Sequence, residues 1–177
     1  MELVAIKYFE TPLGELILGS FGQKLCLCDW HYRKHRKSID DRIQTALNAN
    51  YSEKNTPVIE FAIRQLQQYF HKRRRHFTVP LLMAGTQFQY KVWDELIKIP
   101  YGHTISYSEL ALKLGSKLTV RAVAAANGAN ALSIFIPCHR VIGSDGELVG
   151  YAGGLQTKKK LLELENKARM PQQLNLF

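Results

Sequence analysis

Ile134-Phe135-Ile136-Pro137-Cys138-His139-Arg140-Val141-Ile142 is the stretch from which the rest of the chain is read. A short apolar run meets a proline, and a cysteine follows at once with a histidine and an arginine beside it. The run predicts a brief buried strand. Pro137 donates no backbone hydrogen bond, so it suits a strand end or a turn. Cys138 is then expected where the backbone leaves the core and opens onto a cleft. Cationic neighbours favour thiolate over thiol, starting from a free-cysteine pKa of about 8.5. A nucleophilic sulfur is one reading. A packed core cysteine is the other, because cysteine is among the most buried residue types, and adjacency in sequence does not put two side chains in contact.

Downstream, Ser144-Asp145-Gly146-Glu147 reads as a turn and Gly150-Tyr151-Ala152-Gly153-Gly154 as a flexible loop. A final amphipathic helix carries Leu155, Leu161, Leu162, Leu164 and Glu165, and Pro171 ends it. Upstream, Thr119 is expected to open a helix running Val120 to Gly128, whose alanines allow close approach of another backbone. Ser106 caps a shorter helix with Leu110 and Leu112 that stops at Gly115. Thr86 caps another, with Phe88, Val92, Trp93, Leu96 and Ile97, broken by Pro100-Tyr101-Gly102. Two short helices, a glycine-bearing turn and a small-residue second helix fit a helix-turn-helix.

The first half reads differently. Residues 2–30 predict three strands, punctuated at Thr11-Pro12-Leu13-Gly14 and Phe21-Gly22-Gln23-Lys24, in an antiparallel meander. Cys26, Cys28, His31 and His35 invite a zinc reading, but Cys-x-Cys is tighter than structural zinc spacing and a shared core face explains the pair as well. His31 to Lys37 reads as a solvated basic loop. Two helices should follow. Ser38 or Asp40 caps the first, which ends near Asn48-Ala49-Asn50; Thr56-Pro57 opens the second. Lys72-Arg73-Arg74-Arg75-His76 is placed at that helix's end, where positive charge complements the dipole. Phe77 to Gly85 predicts a strand passing into a linker. The chain then divides into an N-terminal α/β domain (1–84), a second domain (85–170) and a tail (171–177).

Composition bounds the function. With 46% hydrophobic and 22% charged residues the chain reads as an ordinary globular protein long enough for a real core. Its net charge of +9 favours an anionic partner, nucleic acid ahead of a membrane surface. Three cysteines form no framework and point to a reducing compartment. No signal-peptide pattern is seen, and no stretch approaches the roughly 20 apolar residues of a membrane span, so a cytoplasmic protein is expected.

Motifs in the second half join these readings. Thr86-x-Phe88-Gln89-x-x-Val92-Trp93, Ile99-Pro100-Tyr101-Gly102, Ser106-Tyr107, Arg121-Ala122-Val123, Asn127-Gly128-x-Asn130, Ile136 to Gly143 around Pro137-Cys138-His139-Arg140-Val141, and Gly150-Tyr151-x-Gly153-Gly154-Leu155 succeed one another. Across residues 64–166 this resembles the O6-alkylguanine-DNA alkyltransferases of bacterial type, suicide repair proteins for alkylated guanine. The resemblance implies an RNase H-like N-terminal α/β domain and a mostly α C-terminal domain carrying the helix-turn-helix. It implies no cofactor and no metal, double-stranded DNA read from the minor groove as partner, and a monomer.

The resemblance also assigns roles. Cys138 is the alkyl acceptor, His139 deprotonates it through a water and Glu165 orients His139. Tyr107 lies at the phosphate that rotates during flipping and is a candidate proton donor to the leaving guanine. Arg121 fills the gap left by the flipped nucleotide, Asn130 is the hinge asparagine, and Tyr151, Ala152 and Gly153 line the base pocket. Ala122, Ala125 and Ala126 would lie against the DNA edge; tight helix packing explains them equally. Three positions depart from the pattern: Ala131 where proline is frequent, Ala124 where glycine is usual, and Ala152 where some members carry serine. They leave the chemistry intact and bear on substrate range, including O4-alkylthymine.

A thiolate suits in-line attack on an alkyl carbon, and the thioether product offers water no carbonyl, so single turnover follows. A lesion binder without chemistry would lack Cys138, a regulator would need a dimer or sensing module, and a cysteine hydrolase would turn over. The tail Gln173-Leu174-Asn175-Leu176-Phe177 resembles the bacterial sliding-clamp pentapeptide. Gln173 would anchor it, with Leu174, Leu176 and Phe177 filling a groove.

Overall fold

The structure, a computed structural model, describes residues 2–115 and 120–166. Three strands, β1 (Glu2–Thr11), β2 (Gly14–Phe21) and β3 (Lys24–Trp30), form the expected antiparallel meander. A fourth strand, β4 (Ala49–Glu53), adds to the far side of β1 in parallel, so the sheet is mixed, in the order β3-β2-β1-β4. The first helix ends near Asn48-Ala49-Asn50 as expected, but the strand that follows at once is not among the expected elements. Helix α1 (Arg36–Leu47) stops at Asn48, whose φ of 46° turns the chain straight into β4. Neither Ser38 nor Asp40 caps α1: the helix starts after His35 in the left-handed region, and the Ser38 hydroxyl donates back to the His35 carbonyl at 2.8 Å.

Helix α2 (Pro57–Phe70) opens as its sequence requires. The Thr56 side chain accepts from the Ile59 N–H, and Pro57 sits where the missing donor costs nothing. Its buried face is Ile59, Ala62, Gln65, Leu66 and Tyr69. The basic run from Lys72 lies beyond the helix, whose last turn holds no basic residue, so it does not complement the dipole. Residues 77–85 form no strand of their own. They run extended beside β3, held by Leu25 N–H to Pro80 O and Leu82 N–H to Leu25 O, each 2.8 Å.

The second half is helical. Capping boxes open α3 (Gln87–Ile97, Thr86 with Gln89) and α4 (Tyr107–Lys113, Ser106 with Glu109), each closing two of the unsatisfied donors at a helix start. Helix α5 (Val120–Gly128) packs on α3 and α4, and α6 (Leu155–Asn166) lies behind the cysteine segment. Thr119, expected to open α5, and everything from residue 167 on, including Pro171 and the tail, lie outside the described residues. One apolar core joins both halves, with Trp30, Leu66 and Tyr69 packed among Trp93, Val123 and Leu161. Among the described residues no helix is long and apolar enough to cross a membrane.

Cys26 and Cys28 do not share a face. Strand pairing shifts register opposite Gly19 and Ser20, and Cys26 is left without a partner. This bulge turns Cys26 to the core beneath α1 and Cys28 to the core shared with the second half. Burial pushes the Cys26 thiol up to about 12 and raises that of Cys28 well above its ordinary value. Neither thiol is poised as a ligand.

Candidate active site

The apolar run before Cys138 is a turn, not the expected strand. Residues 131–133 take the strand-like role instead: Cys28 N–H donates to Ala131 O (2.8 Å) and Ser133 N–H to Cys28 O (2.7 Å). The chain then reverses through Ile134, whose φ of 73° is a left-handed conformation that a β-branched residue rarely adopts. What holds it there is Asn130. Its amide donates to Ile136 O (2.9 Å) and its carbonyl oxygen accepts from Leu132 N–H (2.9 Å), closing the turn from inside. Pro137 forms an inverse γ-turn, with Cys138 N–H on Ile136 O at 2.8 Å. Residues Cys138–Arg140 complete one 3-10 turn, and β6 (Val141–Ile142) pairs in parallel with β5 (Ile105–Ser106).

Cys138 therefore sits at the floor of a cavity of about 750 Å³ and is only 3% exposed. Tyr107, Arg121, Asn130, Tyr151 and Gly153 contribute to the walls. Burial pushes the thiol up. The Asn130 side chain, Lys158 and Arg33 pull it down, and Asp29 opposes them. The expectation that His139 and Arg140 lower it directly does not hold, because His139 turns to Glu165 and Arg140 to Glu165 and the Ile99 carbonyl. His139 Nε2 lies 2.8 Å from Glu165 Oε1; Arg140 Nε and Nη2 donate to Oε2 and Oε1 at 2.9 and 3.0 Å. Tyr69 donates its hydroxyl to Oε1 at 2.7 Å.

The charges in this buried cluster follow from its geometry. Burial alone would raise the Glu165 carboxyl, but His139 and Arg140 outweigh it and hold the group ionised, far below the usual carboxylate range. Burial lowers the His139 imidazole despite Glu165, so it is neutral. A neutral ring facing a carboxylate through Nε2 carries its proton there, which leaves Nδ1 as the acceptor. Nδ1 is buried with no hydrogen-bond partner among the described residues. Glu165, reached in the sequence only through a resemblance, is thus physically tied to the residue that follows Cys138.

Tyr107 bridges to Val149 O and accepts from the Asn127 amide, both at 3.3 Å. Burial and the nearby Cys138 push its hydroxyl up to about 12, so it remains a proton donor. The loop expected to line a base pocket is tied to the first half by hydrogen bonds. Trp30 Nε1 donates to Tyr151 Oη at 3.0 Å, and Tyr32 donates to Gly153 O at 3.1 Å. Lys158 is wholly buried and donates to Val149 O (2.9 Å) and Gly150 O (3.1 Å). Burial brings its ammonium down to about 8.

On α5, helical spacing separates the two faces. Val123, Ala126 and Asn127 are buried, whereas Arg121, Ala122 and Ala125 are exposed. Ala126, expected on the DNA side, instead faces the core, and its carbonyl accepts from Trp93 Nε1 at 2.8 Å. Sequence reasoning missed Trp30, Tyr32, Asp29, Arg33, Tyr69 and Lys158. For Asp29 a signal existed, since a lone acid in the apolar strand Leu25-Cys26-Leu27-Cys28-Asp29-Trp30 implies a buried partner.

Comparisons with known proteins agree across the whole chain. The family model for the 6-O-methylguanine DNA methyltransferase ribonuclease-like domain matches residues 4–83, and that for its DNA binding domain matches residues 87–167. The constitutive methylated-DNA--protein-cysteine methyltransferase of Bacillus subtilis is 43% identical over 157 residues, 88% of this chain and 92% of that protein. The Mycobacterium leprae protein of the same name, without the constitutive label, is 37% identical over 175 residues, 99% of each. The crystal structure of Mycobacterium tuberculosis OGT in complex with DNA is similar at a TM-score of 0.79 and 37% identity, covering 92% of this chain and 93% of that one.

Proposed function

The chain belongs to the 6-O-methylguanine DNA methyltransferase family, whose members repair DNA by direct alkyl transfer to cysteine, and from that premise we propose that Cys138 is the acceptor and O6-alkylguanine in duplex DNA the substrate. The observation that carries this reading is the buried Glu165–His139 pair next to a cysteine that alone among the three lines a cavity open to the exposed face of α5.

In the proposed mechanism the Cys138 thiol gives up its proton toward His139 Nδ1 by way of a water, and Sγ attacks the alkyl carbon in line. The S–C bond forms as the C–O6 bond breaks. The leaving guanine takes a proton from the Tyr107 hydroxyl, and the proton held on His139 can restore that hydroxyl. Glu165 holds the imidazole in the tautomer this needs. The target carbon lies inside the base stack, so the nucleotide must be extruded, at a cost of a few kcal/mol. In this reading Arg121 enters the minor groove and occupies the gap; its exposure on α5 beside Ala122 and Ala125 supports that role. Tyr151, Ala152 and Gly153 then receive the base, and O4-alkylthymine is a smaller candidate for the same pocket. The thioether does not regenerate, so the protein acts once, as a monomer in the cytoplasm. The same reading puts a domain boundary near residue 84, and the gap between the two family matches supports it.

Incubation with an O6-methylguanine oligonucleotide tests this by intact and peptide mass. One methyl per chain, on the Cys138 peptide, is the expected result. Methyl on Cys26 or Cys28, or many turnovers per chain, contradicts it.

Arg121→Ala is expected to slow transfer from lesion duplex at least about tenfold while changing the reaction with free O6-benzylguanine less than about twofold, because the free base needs no extrusion. Equal losses on both substrates would assign Arg121 to the fold.

The tail supports a second partner. Gln173-Leu174-Asn175-Leu176-Phe177 resembles the bacterial sliding-clamp pentapeptide, and Leu174, Leu176 and Phe177 are three large apolar side chains. Each is worth roughly 1.5–3 kcal/mol when buried, and ordering and association costs remove much of it. A sliding clamp held at about micromolar affinity is the expected outcome. Removing residues 173–177 should abolish clamp binding in a pull-down or surface measurement and leave methyl transfer on a short oligonucleotide unchanged. Undiminished clamp binding, or a fall in melting temperature, would make the tail structural.

A further inference from the structure

Helix α5 ends without a glycine in the left-handed region to close it. The last carbonyls of a helix find no partner inside it, and here four at or just past the end accept from side chains. Trp93 Nε1 donates to Ala126 O at 2.8 Å. Arg33 donates through Nη2 to Gly128 O and through Nη1 to Asn130 O, the latter at 3.0 Å. Arg42 Nη2 donates to Ala129 O at 2.7 Å. Three of the four bonds thus come from two arginines of the N-terminal half.

Both arginines are themselves fixed. Arg33 Nη1 also bonds Asp29 Oδ2 at 2.8 Å, and its side chain is 9% exposed. Asp29 is fully buried and accepts in addition from Arg36, Ser133 Oγ and Trp30 N–H. Within the basic loop read as solvated surface, Arg33 and Arg36 are instead paired with buried Asp29, whereas His31, Lys34, His35 and Lys37 are exposed as expected. The Arg42 guanidinium stands 5.5 Å over the ring of Trp93, the residue that caps Ala126. Two guanidinium charges at a helix C-terminus complement its dipole, and only a planar fork can serve several carbonyls and a carboxylate at fixed angles. The opposite face of the same short helix presents Arg121, Ala122 and Ala125.

We propose that Arg33 and Arg42 are positioning residues for DNA reading: they hold the C-terminal end of α5 so that its Arg121 face meets the duplex at the angle needed to extrude the lesion. The inference rests on α5 being the DNA-reading helix. It gives two arginines of the N-terminal half a part in handling DNA through α5 and not through a phosphate contact.

The test uses full-length Arg42→Ala, Arg42→Lys and Arg33→Lys beside Arg121→Ala. Each is assayed for transfer from lesion duplex, for reaction with free O6-benzylguanine, and for the salt dependence of binding to undamaged duplex. Both Arg42 variants are expected to lose about tenfold or more on duplex and less than about twofold on the free base, which needs no extrusion. Arg33→Lys, which keeps the charge beside Asp29, is expected to lose at least as much on duplex. The salt slope should equal that of the unaltered chain, since neither side chain neutralises a phosphate. Full recovery in Arg42→Lys would mean charge alone matters and would overturn the proposal. So would a slope lowered by about one, which marks a direct phosphate contact. Parallel losses on both substrates with a lowered melting temperature would reduce Arg33 and Arg42 to a structural brace and overturn the proposal. If Arg42→Ala does not fold, Arg42→Lys carries the test. If Arg121→Ala also leaves duplex transfer untouched, the assignment of α5 itself is wrong; if only the Arg33 and Arg42 variants are silent, this inference alone falls.

Discussion

Cys138→Ala is expected to bind lesion-bearing duplex as tightly as the unaltered chain and to remove no alkyl group from it. Cys138 lies at the cavity floor, 3% exposed, and the side chains proposed to meet DNA are exposed on α5. Loss of the sulfur removes the only cysteine lining the cavity, as Cys26 and Cys28 are buried elsewhere. Transfer should fall below detection, with at most about 1 kcal/mol of stability lost, typical of a single substitution. The alkylated chain should behave in the opposite way. A methyl added where the sulfur is already packed overfills the site, at a cost of roughly 1–3 kcal/mol, or about 2–4 °C of melting temperature per kcal/mol for a chain of this size. Calorimetry of the methylated product checks this. An unchanged melting temperature would show that the cavity, not the core, receives the methyl group.

Glu165→Gln is expected to cost more than any other single change outside the nucleophile. The carboxylate answers Arg140 at two nitrogens, His139 at one and the Tyr69 hydroxyl. A neutral amide in its place would leave the buried Arg140 guanidinium without its counter-charge, a loss of about 3–5 kcal/mol where a buried pair is broken from one side. It would also release the imidazole tautomer, and general-base loss lowers rates about 10²–10⁴-fold. Chemical denaturation and single-turnover transfer read the two effects separately. A variant with normal stability and normal transfer would remove Glu165 from the mechanism.

The same cluster sets the response to acid. His139 is held below its unfolded pKa of about 6.5, so the unfolded chain binds the extra proton and stability falls as pH drops below that value. Glu165 is also depressed, so its contribution is complete above an unfolded pKa of about 4.3 and drains away below it. Stability of the unaltered chain should therefore decline from about pH 6.5 downward and steepen below about 4.3, and Glu165→Gln should lose the steeper limb.

Local chemistry made much of this fold legible. Thr56-Pro57, the Thr86 and Ser106 boxes and the stop at Gly115 are self-contained signals, decided by a few neighbouring residues. Other features depend on partners distant in sequence. Ala49–Glu53 has no alternating apolar pattern and becomes a strand only because β1 offers it an edge. Ile134 accepts a left-handed backbone because Asn130 bonds across the turn. The charges of Arg33 and Arg36 read the same whether solvated or paired, and only the buried Asp29 distinguishes the cases. Cys138 and His139 are legible as a pair, but not the directions they take: the imidazole turns toward Glu165, and the cations acting on the sulfur arrive from Lys158 and Arg33.

The loop proposed to line the base pocket rests directly on Trp30: a Cβ placed on Gly153 would come within 2.7 Å of the indole nitrogen. That contact restricts how a new substrate range could evolve. Any larger residue at 153 must push either a core tryptophan or the loop itself, and the second choice narrows the cavity. At Tyr151 the hydroxyl is tied to the same indole, so changes there disturb both ends of the support. Ala152, half-buried between them, has no such tie, and it is the position through which this pocket can be reshaped one mutation at a time without first loosening the core.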